Sequence, residues 1–545
     1  MMKKDMSFKP AVCVSAAICF MFFMFSPLET YLTNKDEFWY DIYVLAPIMA
    51  CVFLIFTAAC VVGFFVLYKW NEKLYRIALL FLFITFICSY VQGNYLVKYL
   101  PVIDGSTIDW SEYARGRVES IILWIVVIAV VIILAKKLKD KQMDMIVQVV
   151  SICMVLMFMV TLGTLCMTNH GLESKTNVCV TTDREFEMST DQNFIILLLD
   201  ATDGQAFSDV VVGNPAYESV FDDFTYYDNT TSVYPHTTFN VPFLMSGIWF
   251  ENKVDTGVYF HDVQVNSPVF RRLEEDGFSI ALYEPDIQID ENTKDRFENV
   301  GLFTKRVSSY TTFARWQVLL TGMKYAPFDL KRFSFVNPNA FKQLRVVEGG
   351  SKMFDNDNFD FYHQLLEEGI AYRDDKSFKF IHLWGAHPPF EQDKDMNYLP
   401  EGGTYTQSLE GCITLTDTYL NALREGGVYD NSIIIIVADH GASEYFDTEY
   451  YQQHPILLIK GLDERHAFQV NDKAISFADL PDAYTKLLDG IVGGGQTVFE
   501  DLPQTRDRRF LYYDIKDPDH MTEYMQKGPA GDMSTMIPTG KEFNR

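Results

Sequence analysis

Five long apolar runs before residue 170 constrain this chain more than any other feature of its sequence. The runs are Ala11–Leu32, Tyr43–Leu67, Ile77–Val97, Ile121–Leu134 and Ile146–Met167. A helix rises about 1.5 Å per residue, so most of the runs are long enough to cross a hydrocarbon core of about 30 Å. The fourth is the shortest, and we expect its left flank, "YARGRVESIILW", to extend the helix. The first run lacks a small-x-small cleavage site and four more runs come after it, so we favour a bundle of about five transmembrane helices over a signal peptide.

Lysine and arginine in the short loops predict the orientation of this bundle. The N-terminal segment is basic, and so are the loops "YKWNEKLYR" and "AKKLKDKQMD", which come after the second and the fourth run. Short basic loops are typical of the cytoplasmic side. The loop "TNKDEFWYD" is acidic and aromatic, which fits the opposite side. We therefore expect a multi-pass protein of the cell membrane whose chain beyond about residue 170 is extracytoplasmic.

Length, charge and cysteine content constrain the region beyond the five runs. We divide the chain into a transmembrane domain (1–169), a linker (170–190) and one extracytoplasmic domain (191–545). The formal net charge of −26 argues against nucleic-acid binding, which requires a basic surface. Of the nine cysteines, only Cys179 and Cys412 lie outside the five runs, and the sequence leaves open whether they pair.

Beyond residue 190, continuous apolar runs alternate with helical patterns. The runs are "NFIILLLD", "FKFIHLWGAH", "NSIIIIVADHG" and "HPILLIK", and the helical patterns include "VFRRLEEDG", "NFDFYHQLLEEGIAYRDD" and "TDTYLNALREGG". Apolar runs without polar alternation are typical of strands buried on both faces of a parallel sheet. The pattern predicts an α/β domain whose mainly parallel central sheet is covered by helices. The last stretch, "KGPAGDMSTMIPTGKEFNR", predicts an irregular tail.

Polar residues stand at the ends of three of the predicted strands. Asp200 ends the first run, His387 comes after the second, and Asp439 and His440 end the third. Ligands of open α/β sheets bind at the carboxyl ends of the strands, so we expect these side chains to meet. Any one of them alone also fits a helix cap or a turn.

Asp200, Asp439 and His440 together fit a divalent metal site. Two carboxylates and one imidazole suit Zn²⁺ or Mn²⁺, and three protein ligands leave a position open. The hydroxyl of Thr237 or Thr238, in "PHTTFNVPFLMSG", can fill that position. A bound metal lowers the pKa of such a hydroxyl and makes it a nucleophile at neutral pH.

Four further residues have more than one interpretation. His387 and His454 can hold a second metal, position an oxyanion or protonate a leaving group, or they can be packed structural histidines. His382 lies inside its predicted strand, which favours a structural role. Asp203 is a candidate extra ligand, although a capping or turn role is the simpler interpretation.

The order of these motifs resembles the alkaline phosphatase/sulfatase superfamily. "LLLD" is followed by "HTTFNVPFLMSG", "HLWGAHPPF", "VADHG" and "HPILLI". In sulfatases the nucleophile precedes a leucine-rich "LLTG" element by a fixed stretch, and "FLMSG" is similar to that element. Counting back from it favours Thr237 over Thr238 as the nucleophile. A true sulfatase needs Cys or Ser in a Cys-x-Pro-x-Arg setting, and this chain departs from that pattern with "HTTFNVP".

A threonine nucleophile with five N-terminal spans is similar to two membrane branches, lipoteichoic acid synthase and the lipid A phosphoethanolamine transferases. Their scheme implies a metal-activated threonine that attacks a membrane phospholipid, releases diacylglycerol and passes the phospho-group to a hydroxyl of an envelope glycan or lipid. The residues that the resemblance carries over are, for metal and nucleophile, Asp200, Thr237, Asp439 and His440 and, for a second metal or the substrate phosphate, His387 and His454.

Two departures from those branches leave the substrate open. Asp200 stands where they place Glu, and "ATDGQAF" lacks an arginine often found there. The resemblance implies transfer of glycerol phosphate or phosphoethanolamine from a phospholipid donor, with one or two Mn²⁺ or Zn²⁺ ions. Two alternatives stay open: a sulfatase-like hydrolase of phosphate or sulfate esters, and a non-catalytic membrane scaffold that has kept the fold.

Overall fold

The chain folds into two units, each with its own core. The computed structural model describes residues 7–545 apart from 36–37, 101–107, 109, 174–176, 286, 288, 290–291, 337, 443–451 and 492–493. Unit 1 comprises Met1–Asn177 and Phe303–Val346, and unit 2 comprises Val178–Leu302 and Val347–Arg545.

Helices and strands alternate along most of unit 2, whereas unit 1 is helical. The α-helices are α1 Lys9–Phe20, α2 Ser26–Thr33, α3 Ile42–Trp70, α4 Glu72–Tyr95, α5 Ala114–Lys137, α6 Asp140–Thr168, α7 Gly204–Val211, α8 Pro215–Glu218, α9 Thr237–Ser246, α10 Thr256–Asn266, α11 Pro268–Glu275, α12 Tyr310–Tyr325, α13 Asn358–Glu368, α14 Tyr405–Glu425, α15 Leu480–Leu488 and α16 Gly494–Thr497. The strands are β1 Val178–Val180, β2 Glu187–Ser189, β3 Asn193–Leu199, β4 Thr225–Tyr227, β5 Thr230–Thr231, β6 Ser279–Tyr283, β7 Val300–Leu302, β8 Ala371–Arg373, β9 Ser377–Leu383, β10 Ser432–Val437, β11 Leu457–Lys460, β12 Gln469–Asn471, β13 Ile475–Ser476, β14 Arg508–Asp514, β15 Asp517–Gln526 and β16 Met536–Asn544.

Unit 1 contains the predicted spans. Five helices are long and apolar enough to cross a membrane, as the sequence predicts: Lys9–Thr33, Ile42–Trp70, Glu72–Tyr95, Ala114–Lys137 and Asp140–Thr168. The first of them consists of α1 and α2, joined by a π-helical turn over Met21–Phe25. Large apolar side chains such as Ile55 and Phe81 point outward from the helices, which is expected where lipid rather than water surrounds them.

Residues 303–346, which we call the insert, also belong to unit 1, whereas the sequence pattern assigns them to the extracytoplasmic domain. Tyr325 lies in one apolar cluster with side chains of α1, α4 and α6. The hydroxyl of Thr321 donates a hydrogen bond to the carbonyl of Phe22, 3.2 Å away. Packing partners for the insert's aromatic side chains lie far away in the chain, so no local pattern predicts where the insert packs.

A seven-stranded sheet forms the centre of unit 2, in the order β12-β4-β11-β10-β3-β9-β6. β10, β3, β9 and β6 are parallel, in agreement with the prediction. β11 runs antiparallel to β10, which corrects the expectation that "HPILLIK" is another parallel strand. A continuous apolar run indicates that both faces of a strand are buried, but it does not encode the strand's direction.

Helices cover both faces of this sheet because alternate residues of each central strand point to opposite sides. Phe194 of β3 contacts the ring of Tyr484 in α15. Leu199, an odd number of residues further along, lines a small cavity with Leu409 and Cys412 of α14. The layered α/β architecture is therefore the one that the sequence predicts. Cys412 and Cys179 are both buried, and no disulfide joins these two described residues.

Three segments differ from their sequence-based interpretation. The predicted linker contains β1 and β2, which pair with β7 and β8, so unit 2 begins before residue 191. The helical pattern around α13 ends at Glu368, and the following "AYR" forms β8. The predicted irregular tail contains β16, which pairs with β15 in a three-stranded antiparallel sheet. In the first two, pairing with distant segments overrides a weak local pattern, and in the third the pairing is with the neighbouring strand β15.

Candidate active site

Two carboxylates and one histidine meet at the edge of the sheet where the parallel strands end. Asp200 directly follows β3, and Asp439 and His440 follow β10, its parallel neighbour. One potential ligand atom of each residue lies within 4.8 Å of those of the others, and all three residues are buried. Parallel neighbours end at the same edge, so the strand order alone brings these side chains together.

Gly385 allows Asp200 to reach this position. Its φ is +61°, and a Cβ atom there would lie 2.3 Å from the backbone nitrogen of Asp200. Any other residue would displace the chain at Asp200, because such a separation is far inside van der Waals contact. The close approach therefore requires glycine.

The oxygens of the two carboxylates lack protein partners where they face each other. Asp200 Oδ1 and Asp439 Oδ2 are buried and form no hydrogen bond with any residue that the structure describes. His440 Nε2 lies 3.7 Å from Asp200 Oδ1 and 3.5 Å from Asp439 Oδ2. Buried carboxylate oxygens without partners are costly unless a cation neutralises them. The donor set therefore fits a divalent metal ion.

The tautomer of His440 is consistent with a ligand role. Its Nδ1 lies 2.6 Å from the carbonyl oxygen of Gly441, so Nδ1–H donates and the lone pair is on Nε2. Burial acts to lower the pKa of His440, but the charges of Asp439 and Asp200 outweigh it and raise the pKa. The two carboxylates stabilise a positive charge beside them, either a proton on the imidazole or a metal ion that the imidazole binds.

The carboxylates themselves shift in opposite directions. Burial alone raises the pKa of Asp200, but the nearby ring of His382 and the charges of His387 and His440 outweigh it, and the pKa is lowered. Burial and then the charge of Asp200 raise the pKa of Asp439. The two acids repel each other, which again favours binding of an external cation.

Of the two candidate threonines, the structure brings Thr237 to the ligands. Its Oγ1 lies 3.5 Å from His440 Nε2, and its hydroxyl also interacts with the carboxylate of Asp439. Thr238 is exposed and its hydroxyl interacts with Tyr513 instead. Because Thr237 is the first residue of α9 and Thr238 the second, consecutive side chains point about 100° apart around the helix.

The start of α9 offers backbone N–H groups beside Thr237. The N-cap residue, His236, forms no side-chain cap, and within the described part of the chain no side chain accepts a hydrogen bond from the first-turn N–H groups. Burial and the neighbouring His440 lower the pKa of His236 to about 4, so its ring is neutral at pH 7. A helix N-terminus with open N–H groups is a favourable site for an anion such as phosphate.

His382 and Glu284 support Asp200 from the side opposite His440. His382 Nδ1 is hydrogen-bonded to Glu284 Oε2, and its Nε2 lies 3.5 Å from Asp200 Oδ2. Burial acts to lower the pKa of His382, but Glu284 and Asp200 raise it well above its ordinary value. Glu284 was not recognised from the sequence, although it directly follows β6 as Asp200 follows β3. An apolar run that ends in an acid was the signal that could have found it.

The remaining candidates lie at different distances from this centre. His387 is half-buried, donates from Nδ1 to the carbonyl of Pro388 at 2.7 Å and acts electrostatically on Asp200. Asp203 caps α7 by accepting hydrogen bonds from two backbone N–H groups, as its capping interpretation expects.

His454 precedes β11, and the antiparallel direction of that strand puts it at the same edge of the sheet. Its ring nevertheless packs against Gly204 and donates from Nε2 to the carbonyl of Asp228 at 2.7 Å. Among the described residues, no hydrogen bond or ion pair joins His454 to Asp200, Asp439 or His440.

No family model and no curated protein matches the chain, but solved structures do. It is similar to Ps i-CgsB in complex with k-i-k-neocarrahexaose, with 12% identity, a TM-score of 0.41 and coverage of 62% of this chain and 82% of that chain. An alkaline phosphatase superfamily protein from Vibrio parahaemolyticus matches with 14% identity, a TM-score of 0.35 and coverage of 67% and 81%. The lipoteichoic acid synthase LtaP from Listeria monocytogenes matches with 12% identity, a TM-score of 0.36 and coverage of 64% and 84%.

Three features of the chain itself carry the resemblance: the order of its motifs, the parallel strands that bring Asp200, Asp439 and His440 together, and the five apolar helices that precede them. By these features the chain resembles the membrane-anchored branch of the alkaline phosphatase/sulfatase superfamily.

Proposed function

We propose that this chain is a metal-dependent membrane enzyme that transfers a phospho-group from a phospholipid to a hydroxyl of an envelope glycan or lipid. The transfer passes through a covalent intermediate on Thr237. The observation that carries the proposal is the position of Thr237 Oγ1, 3.5 Å from His440 Nε2 and beside two unsatisfied buried carboxylates. In a chain with five membrane-length helices, a membrane phospholipid is the donor best placed to supply the group.

Asp200, Asp439 and His440 hold the metal in this proposal, and their chemistry suits Mn²⁺ or Zn²⁺. When bound, such an ion would lower the pKa of the Thr237 hydroxyl and would provide positive charge near the phosphate. His382 and Glu284 orient Asp200 so that one of its oxygens stays directed toward the site.

The chain's own groups bind and orient the phosphate. The open N–H groups in the first turn of α9 donate to a phosphate oxygen next to Thr237 Oγ1. This places the phosphorus atom within reach of the hydroxyl and stabilises the negative charge that grows on the phosphate oxygens. The ring of His236 is neutral at pH 7, so the backbone N–H groups rather than this side chain bind the anion.

Two displacements complete the reaction. In the first, Thr237 Oγ1 forms a bond to phosphorus and releases its proton to water, while the bond from phosphorus to the diacylglycerol oxygen breaks and His387 protonates that oxygen. In the second, the acceptor hydroxyl gives its proton to His387 and forms the new bond to phosphorus. The bond to Thr237 breaks and its oxygen takes a proton from water, so the enzyme is restored.

Hydrolysis by the same site is the second candidate, because water can take the place of the acceptor hydroxyl. The half-buried position of Thr237 leaves room for either acceptor. The two functions share the covalent intermediate and differ only in the second displacement.

Intact-mass measurement of the full-length protein tests the proposal. The purified chain is incubated with phospholipid vesicles and Mn²⁺ or Zn²⁺ without acceptor, so that the intermediate accumulates. We expect an added mass on the wild type and on Thr238→Ala and none on Thr237→Ala, and the mass distinguishes glycerol phosphate from phosphoethanolamine. Thr238→Ala is the matched control, since it removes the same hydroxyl one residue away.

An adduct that persists on Thr237→Ala would contradict the nucleophile assignment. The lifetime of the adduct, with and without an added glycan or lipid acceptor, then separates the two candidates. Rapid loss of the adduct in plain buffer supports the hydrolase, whereas loss that requires a glycan or lipid acceptor supports the transferase.

A further inference from the structure

The insert carries the opposite charge from the rest of the chain. Its eight cations and single acid, Asp329, give a formal charge of +7, whereas the whole chain carries −26. The cations are Lys305, Arg306, Arg315, Lys324, Lys331, Arg332, Lys342 and Arg345. A segment this basic, folded into a unit of membrane-length helices, attracts negatively charged partners.

The insert is a fixed part of unit 1. A Cβ atom at Gly93 would lie 2.4 Å from the ring of Tyr325, so the two pack together only because residue 93 is glycine. The backbone N–H of Phe328 donates to Ser120 Oγ at 3.2 Å. Contacts of this closeness fix the position of the insert on the helices.

All these contacts lie at one end of the bundle. The pairs are Lys324 with Glu29, Gln317 with Tyr40, Tyr325 with Gly93 and Phe328 with Ser120. The four partners lie near the end of the first and third spans and near the beginning of the second and fourth, which connectivity places on the same side. The lysine distribution of the loops assigns this side to the extracytoplasmic leaflet.

Several cations of the insert are neutralised within unit 1. Lys324 pairs with Glu29 at 2.5 Å, and Lys305 pairs with Asp41 at 3.2 Å. The ammonium group of Lys331 is buried and donates to backbone carbonyls of α12. Lys324 and Lys305 therefore bind the insert to the bundle, Lys331 is held within the insert, and none of the three is available to an external anion.

Arg306, Arg315 and Arg332 are different. All three are exposed, and no ion pair joins them to a carboxylate in the part of the chain that the structure describes. The one acid of the insert, Asp329, pairs with Arg117 at 2.7 Å. Three guanidinium groups are thus left for a partner outside the protein.

Apolar side chains accompany Arg332. Leu330 is 52% exposed and Phe333 is 68% exposed, and the guanidinium of Arg332 lies 4.8 Å from the centre of the Phe333 ring. Exposed apolar and aromatic side chains interleaved with arginine are typical of segments at the boundary between acyl chains and headgroups.

We propose that the insert is an anionic-lipid-binding surface at the extracytoplasmic boundary of the bilayer. Arg306, Arg315 and Arg332 bind the phosphates of anionic phospholipids, while Leu330 and Phe333 insert at the level of the upper acyl chains. Arginine suits this role because its planar fork forms paired hydrogen bonds with phosphate oxygens. The proposal does not depend on the covalent chemistry at Thr237.

Lipid selectivity of the full-length protein tests this surface. The chain is reconstituted into phosphatidylcholine nanodiscs that contain trace spin-labelled phosphatidylglycerol or spin-labelled phosphatidylcholine, and electron spin resonance gives the immobilised fraction of each. We expect the wild type to favour phosphatidylglycerol. Each Arg→Gln replacement at 306, 315 or 332 lowers that preference about fivefold, and raising the salt concentration weakens it in the wild type.

Two variants act as controls. Arg271→Gln removes an exposed arginine of unit 2 and leaves the preference unchanged, whereas Lys137→Gln tests the basic end of α5 on the predicted cytoplasmic side. Equal immobilisation of the two lipids by the wild type overturns the proposal. A preference for phosphatidylglycerol that survives replacement of all three arginines also overturns the proposal. If only Lys137→Gln lowers the preference, the selectivity belongs to the other leaflet. Unchanged thermal midpoints show that each variant is folded.

Discussion

Two charged clusters in unit 2, one wholly buried and one built around a buried arginine, differ in how their polar atoms are satisfied. The ligand cluster consists of Asp200, Asp439 and His440, and the arginine cluster consists of Arg184, Glu298, Arg373 and Asp375. In the ligand cluster two carboxylates share one imidazole, and an oxygen of each carboxylate lacks a hydrogen bond from the described residues. In the arginine cluster two guanidinium groups balance two carboxylates.

The arginine cluster is closed by direct contacts. Arg373 binds Glu298 at 2.5 Å and both oxygens of Asp375, and Arg184 binds Glu298 at 3.0 Å. Burial acts to lower the pKa of Arg373, but its hydrogen bonds to Asp375 and Glu298 outweigh it and raise the pKa. Matched charges of this kind satisfy one another within the fold, whereas the unmatched charges of the ligand cluster favour the binding of a cation.

Asp439→Asn should have the largest effect, and it should affect function rather than folding. Asparagine keeps the shape and the acceptor for the N–H of Ala201, but it removes the charge that a metal requires. We expect bound metal to fall below stoichiometric and phospho-transfer to drop at least about a thousandfold. Metal analysis by mass spectrometry and the intact-mass assay measure these two effects.

The thermal stability of the same variant distinguishes the ligand cluster from the arginine cluster. With chelator present, Asp439→Asn should unfold at the same temperature as the wild type or higher, because it removes the repulsion between Asp439 and Asp200. A variant that unfolds well below the wild type in chelator would show that Asp439 is part of the closed framework after all.

Glu298→Gln should show the opposite pattern in the arginine cluster. It removes one of the two carboxylates that bind the buried guanidinium of Arg373 and leaves only Asp375, which costs about 2 kcal/mol of folding free energy. Metal content should not change. The matched control is Asp360→Asn, which breaks an exposed pair with Lys352 and should cost about 0.5 kcal/mol or less. Thermal unfolding of the full-length variants decides, and equal midpoints for the two would contradict the distinction.

Glu185 is a buried acid near the arginine cluster, and it makes the stability of the fold depend on pH. Burial, partly offset by Lys379, raises the pKa of Glu185 from 4.5 to about 8. Between these values the unfolded chain binds fewer protons than the folded chain, so stability falls as pH rises. The loss at pH 7 is about 2 to 3 kcal/mol, and Glu185→Gln should remove it.

Melting curves of wild type and Glu185→Gln between pH 5 and pH 8 measure this slope. Lys379, whose pKa burial lowers to about 8, is protonated in both states below pH 7 and contributes little there. Parallel curves for the two proteins would mean that Glu185 is ionised in the folded state.

The sequence predicts those parts of the structure that depend on short-range pattern. Continuous apolar runs identified β3, β9, β10 and β11, and acids at the ends of the runs identified Asp200 and Asp439. Glu284 carries the same signal after "SIALY", but that strand is shorter and was not recognised. The direction in which β11 runs could not be predicted, because a strand with parallel neighbours and one with antiparallel neighbours can both be buried on both faces.

Long-range packing explains the rest of the differences. The insert depends on a glycine at 93 and on Ser120, roughly two hundred residues earlier in the chain. His454 lies at the same edge of the sheet as Asp439 only because β11 runs antiparallel, and its ring is turned toward Asp228 by a hydrogen bond that no local pattern specifies. Tertiary contacts decide such orientations, and they override local preference.

Glu284→Gln is the mildest way to disturb the ligand cluster, because it acts through His382. Loss of the Glu284 charge weakens the hold on His382, which in turn positions Asp200 Oδ2 at 3.5 Å. Replacing such an outer partner typically lowers metal affinity about 10- to 100-fold, and competition with a fluorescent chelator measures that change. Glu425→Gln, an exposed acid at the end of α14, should leave the affinity unchanged. The contrary outcome is a variant Glu284→Gln that melts at a lower temperature in chelator but binds metal as tightly as the wild type. Glu284 would then have a structural role, like the arginine cluster, and only Asp200, Asp439 and His440 would set the metal affinity.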